Sequence, residues 1–275
     1  MLRKRMSFAY LLLSDIKQGI ISRIWWYMAA MPIVIYLILM FSNELNGMLS
    51  DGVTRLTVTD IFTYVYEGVK IFERKEDMTF PVMFVSYIMV PFIITSYYPF
   101  NDFEERGKVI FTRTRKRSLW WYSKCLWNVV SIVTYQLIML ITAIGYCVMG
   151  GKVSFEPSEK AAVHLGIVTM DCKLSDIFIY VFIIPTLTII ALSFLQMTIS
   201  VIMSPVYGMM VQVVMLVLSI FVYSPLLPHN FLMLRRSAMV IDNGYKLPVV
   251  ITVCVIISVI SVIVGRNVIE KKDIL

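Results

Sequence analysis

The sequence predicts an all-α integral membrane protein, and three observations carry that prediction. Of its 275 residues, 59% are apolar and 16% charged, against roughly 45–50% and about 25% in soluble chains; the mean hydropathy is +0.78. Six windows hold no Asp, Glu, Lys or Arg: about 24–42, 79–100, 125–149, 177–203, 206–225 and 247–265. Each is of the length needed to cross ~30 Å of hydrocarbon at ~1.5 Å per residue, which predicts six transmembrane helices in a single domain. Finally, the basic residues are distributed unevenly between the segments that join these windows.

Taken in order, residues 1–23 mix Phe8, Tyr10, Leu11, Leu12, Leu13, Ile16 and Ile20 with Arg3, Lys4, Arg5, Asp15 and Lys17. This composition suits an amphipathic helix lying in the membrane interface, although an ordinary basic flank of a long first helix is also compatible. Trp25, Trp26 and Tyr27 mark the headgroup level. The first apolar run lacks a small-residue cleavage site, so it reads as a retained anchor. The external segment 43–78 mixes acids with Ile61, Phe62, Tyr64 and Tyr66 and should hold a folded element; 150–176 should be loop and short helix. Spans four and five are joined by a tight hairpin at Met203–Tyr207. Before span six, Pro225 and Pro228 interrupt an apolar stretch, which predicts a re-entrant or interfacial segment. Pro32, Pro81, Pro99, Pro205 and Pro248 sit near span ends, whereas Pro91 and Pro185 fall inside and should bend their helices.

The net charge of +7 is a topology signal and gives no reason to expect nucleic acid. With an even number of crossings, one side collects fifteen basic and six acidic residues from the N-terminus, the 101–124 loop and the tail, and the other side ten basic and twelve acidic. The positive-inside rule then puts both termini in the cytoplasm of a multi-pass cell-membrane protein. Cys125, Cys147, Cys172 and Cys254 show no paired spacing, which speaks against a metal or disulfide framework.

Ionisable side chains are absent from the predicted spans, which disfavours ion-coupled transport and an intramembrane enzyme. His164 and His229 fall in external segments without ligand or dyad spacing and read as surface histidines. Gly145–Lys152 imitates a phosphate-binding loop, but its Lys is one residue late, Val153 stands where Ser or Thr is needed, and it closes a membrane helix. The chain is therefore expected to be no enzyme and to bind no cofactor; an ATPase driving it would be a separate polypeptide. Polar residues within spans, among them Ser193, Gln196, Thr198 and Gln212, have two readings. One is hydrogen bonding between helices; the other is a mildly polar substrate path.

In this order, the features resemble the permease subunit of type-2 ABC exporters, over nearly the whole chain at the level of pattern. The most specific stretch is Tyr98-Pro-Phe-Asn-Asp-Phe-Glu-Glu-Arg-Gly107, followed by Phe111, Arg113, Arg115, Arg117, Ser118, Trp120, Trp121 and Lys124. The resemblance implies a cytoplasmic coupling helix within 101–118 that contacts a separate ABC ATPase subunit through Asp102, Phe103, Glu104, Glu105, Arg106 and Gly107. ATP and Mg would be held by that subunit. Arg113, Arg115, Lys116 and Arg117 are expected to face lipid headgroups. A second permease half, identical or homologous, would complete the path, and the Trp-rich third span resembles exporters of peptides, including those that protect against antimicrobial peptides. The competing expectation is a non-transporting membrane scaffold or sensor that recruits a cytosolic partner through the same loop.

Overall fold

The computed structural model describes residues 7–48, 56–71, 80–113, 117–151, 153–158 and 174–272. His164, Cys172, Arg115 and Lys116 lie outside them, as do the side chains of Lys108 and Arg113. Among the described residues the regular structure is helical, save for a single bridge between Ser237 and Tyr245.

Helix α1 (Phe8–Gly19) opens at Ser7, whose hydroxyl accepts from Tyr10 N. Its buried stripe is Leu11, Asp15 and Gly19, one residue per helical turn. A 3-10 turn, Ile21–Arg23, leads into α2 (Ile24–Met28) and α3 (Met31–Met48). The first predicted span is thus two helices, divided at Ala29–Ala30 just before Pro32. Helix α4 (Val58–Val65) is the folded element expected in the external segment, started by a reciprocal capping box between Thr57 and Asp60.

Helix α5 (Val82–Ser96) accommodates Pro91, and after a bend at Tyr97 the chain continues as α6 (Tyr98–Arg113), which includes the end of the predicted second span and the first part of the charged segment. Helix α7 (Arg117–Met149) begins eight residues before the predicted span and takes in Lys124. Next come α8 (Leu174–Phe178), a π-helical turn (Ile179–Ile183) and α9 (Ile184–Ile202). The π turn ends two residues before Pro185, whose missing N–H and ring are what the wider turn accommodates. Helix α10 (Pro205–Phe221) returns after the short hairpin, and α11 (Leu247–Lys271) closes the chain.

Five helical stretches are long and apolar enough to cross a membrane: Phe8–Glu44, Val82–Gly107, Arg117–Met149, Ser175–Ile202 and Leu247–Lys271; α10, with 17 residues, is a shorter apolar helix. This is the build of a multi-pass membrane protein. Helix α9 is the central post, touching α5, α7, α10 and α11. Helix α11 turns Val255, Ile256, Val259, Ile260 and Ile263 outward, as lipid contact requires, and keeps Val250, Cys254, Ser261 and Gly265 inside.

Hydrogen bonds tie the helix ends into two layers. At one end Arg117 donates to Lys272 O (2.8 Å), Lys272 Nζ to Val201 O (2.8 Å) and Ser96 Oγ to Pro205 O (3.4 Å). At the other, Thr59 donates to Phe155 O (2.6 Å), Ser158 N to Asp60 (2.9 Å) and Leu234 N to Tyr66 O (2.7 Å). Helices α1 and α11 reach the same end, which we term the basic end.

Candidate functional site

Inside the basic end, two carboxyl side chains and a lysine from three helices meet out of water. Lys124 on α7 is fully buried and lies between Asp15 of α1 and Asp102 of α6, 2.7 Å from Asp102 Oδ2 and in direct contact with Asp15 Oδ1. Asp15 also accepts from Ser123 Oγ (2.5 Å) and Tyr98 Oη (2.9 Å), and Asp102 from Trp120 Nε1 (2.9 Å). Arg106, one turn along α6, approaches Asp102 from the exposed side at 3.7 Å. The Lys124 ammonium lies over the faces of Tyr98 and Trp120, 4.6 and 5.3 Å from the ring centroids. Two carboxylates, one lysine and the partial charges of three polar or aromatic groups, Ser123, Tyr98 and Trp120, thus satisfy one another where water is excluded. Such a cluster fixes one arrangement of its helices, because every displacement leaves a charge unpaired.

The local sequence explains the convergence. Asp15 occupies the apolar stripe of α1 between Leu11 and Gly19. At Gly19 a side chain would overlap the Trp127 indole, so glycine lets α1 approach α7 closely. On α7 the inward positions Trp120, Lys124, Trp127 and Ser131 recur at helical spacing, with Tyr27 Oη bonded to Ser131 Oγ one turn deeper (2.5 Å).

Beside the ions, Phe103, Phe111 and Trp120 meet edge to face, with centroids 5.7–5.9 Å apart. Lys272, at the end of α11, places its ammonium 4.9 Å from the Phe103 ring. The inner side of α6 is therefore joined to α1, α7, α9 and α11 within one small region.

The residues of the expected coupling segment divide by face. Asp102 and Gly107 are buried and Phe103 is half-buried, whereas Glu104 and Glu105 are exposed and Arg106 lies between. Arg117 bonds the last carbonyls of α11 and sits 5.7 Å over the Phe111 ring. The four candidate path residues are buried and bonded across helix contacts. Ser193 Oγ donates to Asn128 Oδ1 (2.6 Å), Gln196 Nε2 to Phe92 O (2.9 Å), Thr198 Oγ1 to Ser261 O (3.0 Å) and Gln212 Nε2 to Leu192 O (2.8 Å). Here they join helices.

The pairing of Asp15 with Lys124 was not singled out from the sequence, where Asp15 counted toward topology and the amphipathic leader and Lys124 toward topology and the charged stretch after Phe100. The available signal was an acid on the apolar stripe of one helix and a base in register with inward tryptophans on another.

The opposite end corrects one reading. His229 is not a surface histidine: it is fully buried in the 3-10 turn Pro228–Leu232, its ring 5.9 Å from Phe92, and neither nitrogen has a partner among the described residues. Burial pushes its pKa down to about 3, so the ring is neutral. The segment before α11 is a plug organised by Arg236. That guanidinium donates to Val69 O (3.0 Å), Ile220 O (2.8 Å), Ser219 O and Asn230 Oδ1. Beside it Arg235 pairs with Glu67, whose carboxyl burial raises to about 7 despite the guanidinium.

Comparison with protein-family profiles, curated proteins and solved structures finds no match to this chain. Its function is therefore argued from its own geometry.

Proposed function

We propose that this chain is the membrane-spanning subunit of an ATP-driven exporter, a permease of the type-2 ABC kind, worked by a separate ATP-hydrolysing subunit. The observation that supports the reading best is the two-faced build of α6. Its outer face offers Glu104 and Glu105, which make no ion pair among the described residues. Its inner face is tied through Asp102 and Phe103 to Lys124 and Trp120 of α7 and to Lys272 at the end of α11, and through Tyr98 to Asp15 of α1. A force applied to the outer acids is thereby delivered to most of the bundle, because a charge cluster and close-packed rings do not deform gradually.

In this reading both termini and α6 are cytoplasmic, by the excess of basic residues at that end. Helix α10 supplies the sixth crossing; it runs from the basic end at Pro205 to the Arg236 plug. The partner binds ATP and Mg, and a second permease half, identical or homologous, closes the path. The cargo is apolar or amphipathic, with peptides the leading class.

The test is site-specific photo-crosslinking in cells. A photo-reactive residue at Glu104 should capture one ATP-binding subunit and one at Leu13, exposed on α1, should not. Glu104→Lys should abolish ATP-dependent efflux while leaving protein level and melting temperature unchanged. ATP-dependent efflux that persists in Glu104→Lys/Glu105→Lys would remove the coupling role. Capture of a partner without any ATP-dependent efflux in reconstituted vesicles would favour the scaffold instead.

A further inference from the structure

At the basic end a pocket of about 420 Å³ opens between the start of the first span and α5. Its walls include Arg23, Trp26, Tyr27, Ile93, Ile94 and Tyr97. We propose that it binds one anionic phospholipid of the leaflet at that end, with the headgroup phosphate on Arg23 and an acyl chain along Ile93 and Ile94. No assignment of the chain as a permease is needed for this.

Three features of the pocket converge on that ligand. The first is an unneutralised cation. Arg23 is half-buried with its guanidinium 5.3 Å over the Tyr98 ring, and among the described residues it makes no ion pair. The nearby acid of α1, Asp15, is already taken by Lys124, Ser123 and Tyr98, and no carboxylate lines the pocket. A guanidinium held on a ring face keeps its edge free for the paired oxygens of a phosphate.

The second is the order of chemistry along the helices. Ile93 and Ile94 precede Tyr97 on α5 by three to four residues, so they lie about 5 Å farther from the basic end. Away from the basic end the lining runs from Arg23 through Trp26, Tyr27 and Tyr97 to Ile93 and Ile94, which is the order headgroup, glycerol region, chain. A free phosphate would engage only Arg23, and an apolar molecule would leave Arg23 unsatisfied.

The third is level. Ile21, Trp25 and Trp26 are 63, 75 and 64% exposed at this turn, which marks the interfacial belt of a membrane protein. The volume is within the range of ligand pockets, roughly 300–1,000 Å³.

The test uses the full-length protein, delipidated in neutral detergent and offered equal amounts of phosphatidylglycerol and phosphatidylcholine, with bound lipid counted by native mass spectrometry. Phosphatidylglycerol should be retained preferentially. Arg23→Gln should reduce that preference about fivefold, the value of ~1 kcal/mol per basic residue near a membrane surface. Arg23→Lys should keep part of the preference, and Arg266→Gln, on the exposed Arg266–Glu270 pair of α11, should keep all of it. Melting temperature checks that each variant is folded, and Trp26→Ala gives a second, uncharged probe of the same pocket. Equal retention of the two lipids, or an unchanged preference in folded Arg23→Gln, overturns the proposal. So does displacement of the lipid by soluble glycerol phosphate at the same concentration, which would make this a site for a free phosphate.

Discussion

Replacing Lys124 with methionine preserves the length of the side chain and deletes the one ammonium shared by Asp15 and Asp102. The two carboxylates would stay behind, 5 and 4% exposed, with Arg106 offering only a 3.7 Å contact to the second of them. Breaking a buried pair by removing one partner costs about 3–5 kcal/mol. For a domain of this size ~1 kcal/mol is roughly 2–4 °C in melting temperature, so the loss should be about 6–20 °C. The measurement is thermal unfolding of the detergent-solubilised protein, followed by tryptophan emission, since Trp120 and Trp121 flank the site. The compensated variant Asp15→Asn/Asp102→Asn/Lys124→Met keeps acceptors for Tyr98, Ser123 and Trp120 and removes all three charges. It should recover most of the loss, because a buried charge cluster is stabilising chiefly relative to its own broken forms. A single Lys124→Met variant that melts with the wild type, or a triple variant no better than the single, would refute the view that mutual neutralisation holds α1, α6 and α7 together.

Other expectations follow from individual contacts. Arg236→Met strands at least three backbone carbonyls at the plug and should cost more than ~3 kcal/mol in the same unfolding assay. At Gly265 any side chain would overlap the Trp121 ring; Gly265→Val should push α11 off α7 and lower stability by about 1–3 kcal/mol, with increased exchange of the α11 amides. Glu67 provides a pH signature. Its carboxyl is raised from 4.5 to about 7 by burial, so the native state holds the proton longer. Its stabilising contribution is therefore complete below about pH 4.5 and is lost as pH rises through about 7. Melting temperature should fall over that window, and Glu67→Gln should flatten this part of the profile.

Much of the architecture was legible because hydrophobic runs and turn residues are local signals. The windows at 79–100, 177–203 and 247–265 all correspond to helices, and the charged stretch after Phe100 is helical as well, in α6, which begins before it at Tyr98. Proline positions were informative for the same reason: Pro205 and Pro248 lie in the first turns of α10 and α11, and Pro185 follows a π turn. Less could be read where a polar residue serves a distant partner. Lys124 contacts Asp15 across 109 positions, and Arg236 reaches Val69 across 167. His229 appeared external because its neighbours in sequence are prolines and loop residues, yet the plug carries it against Phe92.

By itself, the sequence determined that long uncharged runs must satisfy their backbone internally, so the chain forms apolar helices of membrane-spanning length, and it divides the basic residues unequally, fifteen to ten, between the segments that join them. It also determined that α6 would be a charged helix between two apolar ones. Only the tertiary structure decided which face of α6 is available. Asp102 and Phe103 turn inward because Lys124, Trp120 and Lys272 arrive there from other helices, and Glu104 and Glu105 are left outside. Partners so far apart in the chain leave no periodic trace in the sequence, since burial of a charge is permitted only by the counter-charge that the fold brings to it.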